Sequence, residues 1–144
     1  MHNLFRLFVV CVLLMLLIGC SKQSEDVKQG FSFEEASQIE MFSVDDADTV
    51  LHIVEKQEDV NAFVDALLIE KWELATLPEE VKPEHMYKLL ETRTTTFGKA
   101  KKDTLIEVGT IISFQESPYI ELNIKDFTLH FKIPQKAANF LAER

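Results

Sequence analysis

Apolar and polar residues change spacing several times along this chain. Residues 7–18 are apolar without a break, bounded by Arg6 on one side and Gly19-Cys20 on the other. Twelve residues fit the core of a secretory signal, about 7 to 15 long, and fall short of the roughly 20 needed to span a bilayer. The stretch "SKQSEDVKQG" that follows has one aliphatic residue, Val27. It cannot bury enough apolar surface to order itself. The pattern therefore predicts a signal over 1–19, a tether over 20–31 and a single domain over 32–144.

Within the domain, "SQIEMFSV" offers Ile39, Met41 or Phe42, and Val44 to a core and ends at the acidic turn "DDAD", which predicts a first strand. "TVLHIVE" predicts a second, with Val50, His52 and Val54 on one face and Leu51 and Ile53 on the other. The period then lengthens. In "EDVNAFVDALLIEKW", Val60, Phe63, Val64, Leu67 and Leu68 fall on one stripe of a helix, and Glu58 and Asp59 favour the positive end of its dipole. "ELATLPEEVKPEH", with Pro78 and Pro83, predicts an exposed connection.

Beyond it, "MYKLLETRTTTF" and "TLIEVGTIISF" predict two strands around a polar turn, "GKAKKD". In the second of these the set Ile106, Val108, Thr110, Ile112 and Phe114 is expected to face inward, away from Glu107, Gly109, Ile111 and Ser113. "YIELNI" and "FTLHFKI" alternate cleanly around Lys125-Asp126, which predicts a tight hairpin. Pro134 then opens a closing helix with Ala137, Ala138, Phe140 and Leu141 as its apolar face. The expected fold is α+β: one antiparallel sheet of five to six strands in the order β-β-α-β-β-β-β-α, with both helices on one face and the other face wet.

Charge changes the picture of partners. After residue 19 the chain has 14 basic and 24 acidic residues, a net charge of −10. Such a domain lacks the basic surface that nucleic acid requires, so no nucleic-acid partner is expected. "LLIGC" adds an address. Leu17-Ile18-Gly19-Cys20 resembles the lipobox of bacterial lipoprotein precursors, in which cleavage after the small residue leaves the cysteine as a lipidated N-terminus. That resemblance implies cleavage between Gly19 and Cys20 and a covalent diacylglycerol and N-acyl lipid on Cys20. It also implies an extracytoplasmic domain held on the cell membrane. Two acyl chains anchor far more firmly than one. With Cys11 discarded and Cys20 used, the mature chain has no thiol left for a disulfide or a nucleophile.

The succession "SQIEMFSV", "EDVNAFVDALL" and "FTLHFKIPQKAANFLAE" resembles the YhfM-like group of small exported or membrane-attached proteins of Gram-positive bacteria. It departs from them in the long "ELATLPEEVKPEH" connection, and the resemblance implies no activity.

Candidate chemistry is sparse. His52, His85 and His130 show no H-x-H or i, i+4 spacing, so no metal site is expected from them. Asp45, Asp46 and Asp48 cluster in an acidic turn, but Leu51 stands where a calcium loop would need glycine. Glu107 and Glu121 on neighbouring strands offer a carboxylate pair of the kind glycosidases use. Gly19, Gly30, Gly98 and Gly109 are too scattered for a nucleophile elbow or a phosphate loop. No cofactor and no catalytic residue is expected.

Trp72, His130, Lys132, Lys101 and Lys102 are the candidate contact residues: an aromatic platform, a polar strand face and a basic turn. The expectation is a noncatalytic contact module at the outer face of the membrane, its partner a protein or wall component. A small ligand or cation receptor accessory to transport is the alternative, and a hydrolase the third reading.

Overall fold

The structure, a computed structural model, describes residues 33–144. The expected signal, the Gly19-Cys20 junction and the whole tether lie outside the described residues. A 3-10 turn at Phe33–Glu35 leads into β1 (Gln38–Ser43) and β2 (Asp46–Val54), followed by α1 (Gln57–Ala66) and a second 3-10 turn at Ile69–Lys71. Then come β3 (Glu73–Leu74), β4 (Pro83–Phe97), β5 (Ala100–Phe114), β6 (Tyr119–Ile124), β7 (Phe127–Lys132) and α2 (Gln135–Ala142). The seven strands form one antiparallel sheet in the order β2-β1-β4-β5-β6-β7-β3.

The α+β class and the single antiparallel sheet agree with the sequence pattern; the strand count does not. The seventh strand, β3, lies in the connection expected to be irregular. It is two residues long and pairs Glu73 with Lys132 and Leu74 with Phe131. So short a piece leaves no alternation to read. α1 also stops sooner than its apolar stripe suggests. Leu67 caps it, and Leu68 takes a left-handed φ of 51°, which turns the chain into the 3-10 segment and toward β3.

Cross-strand rows define the packed face. Met41, Tyr87, Ile111, Leu122 and Leu129 form one row, and His85, Ser113, Ile120, Phe131 and Leu74 the next. Both helices lie on this face. Phe63 of α1 stacks 5.5 Å from Tyr87, and the Tyr87 hydroxyl bonds to the Leu141 carbonyl of α2. Ile39, Leu67, Leu89, Ile111, Ile120 and Leu141 are fully buried here, each contributing about 1.5–3 kcal/mol of transfer free energy.

The inward set expected for β5 is thus corrected: Ile111 and Ser113 face the helices, and Ile112 lies opposite. The register shifts between Leu89 and Leu90, where Leu89 pairs with Gly109 but Leu90 with Glu107. Val108 is the extra residue, and a bulge of this kind moves every later side chain to the other face.

Candidate functional site

The sheet has an open face. On it, Phe42, Met86, Ile112, Glu121 and His130 form one cross-strand row, and Glu40, Lys88, Thr110, Asn123 and Thr128 the next. Its polar groups are joined. The Glu121 carboxylate accepts from Asn123 Nδ2 at 2.9 Å and lies 3.1 Å from His130 Nε2, while Thr128 donates to Asn123 at 2.6 Å. Phe42 is buried here, with the Lys88 ammonium 4.5 Å over its ring, so this face is less wet than alternation predicts.

Glu107 does not meet Glu121. Glu121 pairs with Ile112, five residues along β5 from Glu107, which separates the two by roughly 15 Å along the strand. A glycosidase pair needs about 5 to 9.5 Å. Glu107 instead accepts a hydrogen bond from the Thr110 hydroxyl at 2.8 Å.

A second region lies at the β2 edge. Eight of the nine β2 residues are exposed, and Val50, Leu51 and Ile53 keep 40, 52 and 46 % of their surface in water. Register shifts flank Phe42, which pairs with Val50 while Met41 pairs with His52, leaving Leu51 as a bulge. Leu51 and His52 therefore line an open groove of about 630 Å³ with Met41, Phe140, Glu143 and Arg144. The Arg144 guanidinium stacks 4.6 Å over Phe140 at its floor. A smaller cavity of about 40 Å³ beneath α2, lined by Ser113, Ile120 and Ala138 among others, is close to the size of one water.

The sequence-derived contact residues do not converge. Trp72 is 4 % exposed: its ring packs 5.6 Å from Phe33 and 5.4 Å from Phe131, and its Nε1–H donates to the Leu67 carbonyl. It closes the core and offers no platform. His130 and Lys132 share the open face, His130 half-buried and Lys132 exposed. Lys101 and Lys102 are not in a loop. The turn is only Gly98-Lys99, and both lysines sit in β5, paired with Thr96 and Thr95, so they point to opposite faces.

His85, at the end of the connection expected to be exposed, lies in β4 against Tyr87, and its buried Nδ1 has no hydrogen-bond partner. Asp46 and Asp48 belong to β2, beyond the turn that the sequence suggested. Among the described residues, no three His, Cys, Asp or Glu gather as a metal-ligand set, and no helix is long and apolar enough to cross a membrane. The β2 edge has no sequence signal as a site because alternation reports which residues are apolar, not which strand ends up without a neighbour.

No family model matches the chain, and comparison with curated proteins and with solved structures gives no match.

Proposed function

We propose that this protein is a lipid-anchored, extracytoplasmic domain that works by contact. A protein or wall-associated peptide would add a strand to β2. The observation that carries this reading is the edge itself, since Val50, Leu51 and Ile53 are exposed on a strand whose outer side has no partner in the sheet. Strand addition draws affinity from main-chain hydrogen bonds and specificity from side-chain pockets, and the groove beside Leu51 and His52 is such a pocket. The charges of Asp46 and Asp48 confine pairing to the far end of β2, and the bulge at Leu51 leaves His52–Val54 as its regular part. The anchored address is supported by the apolar run that ends at Leu17-Ile18-Gly19-Cys20.

A receptor for a small ligand is the second reading. It is favoured by the groove volume, which lies within the 300–1,000 Å³ usual for ligand sites, and by the Arg144 cation over Phe140.

Two measurements test the first reading. Mass spectrometry should find a mature chain that begins at an acylated Cys20, and Cys20→Ser should release a folded domain from the membrane. A photo-crosslinker placed at Ile53 on intact cells should trap a partner that the same probe at Glu58, on the exposed side of α1, does not. Equal labelling from both positions would remove the edge as the contact.

A further inference from the structure

The β4–β5 hairpin outgrows its sheet. β1 pairs with β4 only as far as Leu90, and β6 meets β5 only from Thr110 onward. Residues 91–109 therefore stand beyond both neighbours as a two-stranded ribbon. Seven residues of β4, from Glu91 to Phe97, carry the turn roughly 24 Å past the sheet at about 3.4 Å each. Every residue from 92 to 105 is exposed. A two-stranded ribbon is at best marginally stable in water, so this arm adds little to the core that carries it.

Its composition is unlike the rest of the chain. Phe97 is 80 % exposed at the tip, beside Gly98 with φ +63°. Residues 91–109 hold Arg93, Lys99, Lys101 and Lys102 against Glu91, Asp103 and Glu107. Both glutamates sit near the root, Glu91 3.7 Å from Arg93, so the outer part, 94–103, carries three lysines against Asp103 in a chain with 24 acidic and 15 basic residues. Asp103 is already engaged by the Thr94 hydroxyl at 2.6 Å. Lys101 and Lys102 project from opposite faces, so cations surround the aromatic tip.

The chain enters the domain at the same end of the sheet. Ser37 N donates to the Leu90 carbonyl at 2.8 Å, and its hydroxyl lies 2.7 Å from that of Thr92, at the root of the ribbon. Thirteen residue steps separate Cys20 from Phe33, a reach of up to about 45 Å at roughly 3.5 Å per step. That exceeds the length of the ribbon. A lipid on Cys20 and the tip at Phe97 can therefore meet one leaflet together.

We propose that the 91–109 ribbon docks on the anionic phospholipid leaflet that holds the anchor: Phe97 enters the headgroup layer while Lys99, Lys101 and Lys102 bind lipid phosphates. The inference rests on the anchored reading above. An anionic leaflet attracts this basic arm and repels the acidic body, so the same field that holds the tip down turns the domain outward. Phe97, an exposed apolar ring, gains by moving its surface out of water toward the acyl boundary beneath the headgroups.

The test uses full-length Phe97→Trp protein purified from whole cells of an expressing bacterium. It is floated with vesicles of neutral phosphatidylcholine, or of phosphatidylcholine with phosphatidylglycerol, each carrying brominated acyl chains. Trp72 is buried and supplies a constant background, measured in the otherwise unchanged chain. On phosphatidylglycerol vesicles the added emission should shift to the blue and lose most of its intensity. Both effects should disappear in 1 M salt, where the Debye length falls to about 3 Å, and in Lys101→Glu/Lys102→Glu.

Protein that floats on neutral vesicles but leaves the tip emission unquenched on anionic ones would keep the anchor and overturn the arm. Quenching that depends on protein concentration instead of lipid would assign the tip to a second copy and overturn the arm as well. Flotation only on anionic vesicles, with quenching, would sustain the arm and remove the anchor. Flotation on neither would remove both.

Discussion

The Tyr87 hydroxyl donates to the Leu141 carbonyl oxygen across 2.7 Å, joining an interior strand of the sheet to the last helix. Tyr87 is 1 % exposed and also faces Phe63 of α1, so a single side chain ties both helices to the sheet. Tyr87→Phe keeps the ring and deletes the donor, leaving the Leu141 carbonyl without this bond. The expected loss is about 1–3 kcal/mol, read as a lower urea midpoint with an unchanged slope.

The same residue sets an alkaline limit. Burial pushes the Tyr87 phenol well above its ordinary value, and Glu84 adds to this while Arg144 and Ser113 act against it. The folded state therefore holds the proton after the unfolded chain has released it, at about pH 10. Stability from this group is complete below that pH and falls as pH rises further, with a slope approaching 1.4 kcal/mol per pH unit. Urea titrations from pH 8 to 11.5 should show this fall in the native chain and a shallower one in Tyr87→Phe. Parallel slopes would mean that other groups set the limit.

Residue patterning alone makes the α+β class, the first turns of α1, the Lys125-Asp126 hairpin and the apolar face of α2 legible. Each follows from a local period or a local turn. What stays hidden is decided at longer range. β3 exists because Leu74 finds Phe131, a pairing that two residues cannot announce. Beyond Val108 the faces of β5 are the reverse of those expected because the bulge there has no local signature in "IEVGTI". Trp72 gives no hint in the sequence of whether it closes the core or meets a partner, since its burial depends on Phe33 and Phe131, far away in sequence. The ribbon is legible as two strands, but its protrusion depends on how short β1 and β6 are.

Trp72 gives a prediction opposite to that for a contact residue. Its ring lies between Phe33 and Phe131, and its indole N–H is bonded to the Leu67 carbonyl at 2.8 Å. Trp72→Ala should open a cavity under the 3-10 segment and cost about 3–5 kcal/mol, visible as a large fall in the thermal midpoint. A contact residue on the surface would instead leave stability within about 0.5 kcal/mol of the native chain.

Glu121 and His130 are close enough to pair, yet neither is deeply buried: their side chains keep 24 and 32 % of their surface. Water screens such a pair, and Asn123 remains bonded to Thr128 when the carboxylate is neutralised. Glu121→Gln should therefore cost less than about 1 kcal/mol by urea unfolding. A much larger loss would mark the open face as a packed structural element.

Gly98 offers a prediction in which the local and the global stability separate. Its φ of +63° lies in the left-handed region, where a side chain costs about 1–2 kcal/mol, and an added Cβ would meet no atom within 4 Å. The penalty of Gly98→Ala is thus purely that of the backbone, with no clash to relieve. It falls on the turn of a ribbon that has few buried contacts to resist it. Fraying should spread from the tip toward Leu90, where pairing with β1 begins. Amide hydrogen exchange should accelerate in residues 91–107, while the amides of Tyr87, Leu89 and Ile111 and the thermal midpoint stay as they were. A fall in the midpoint would show that the ribbon folds as one unit with the sheet, and docking at Phe97 would then be coupled to the stability of the whole domain.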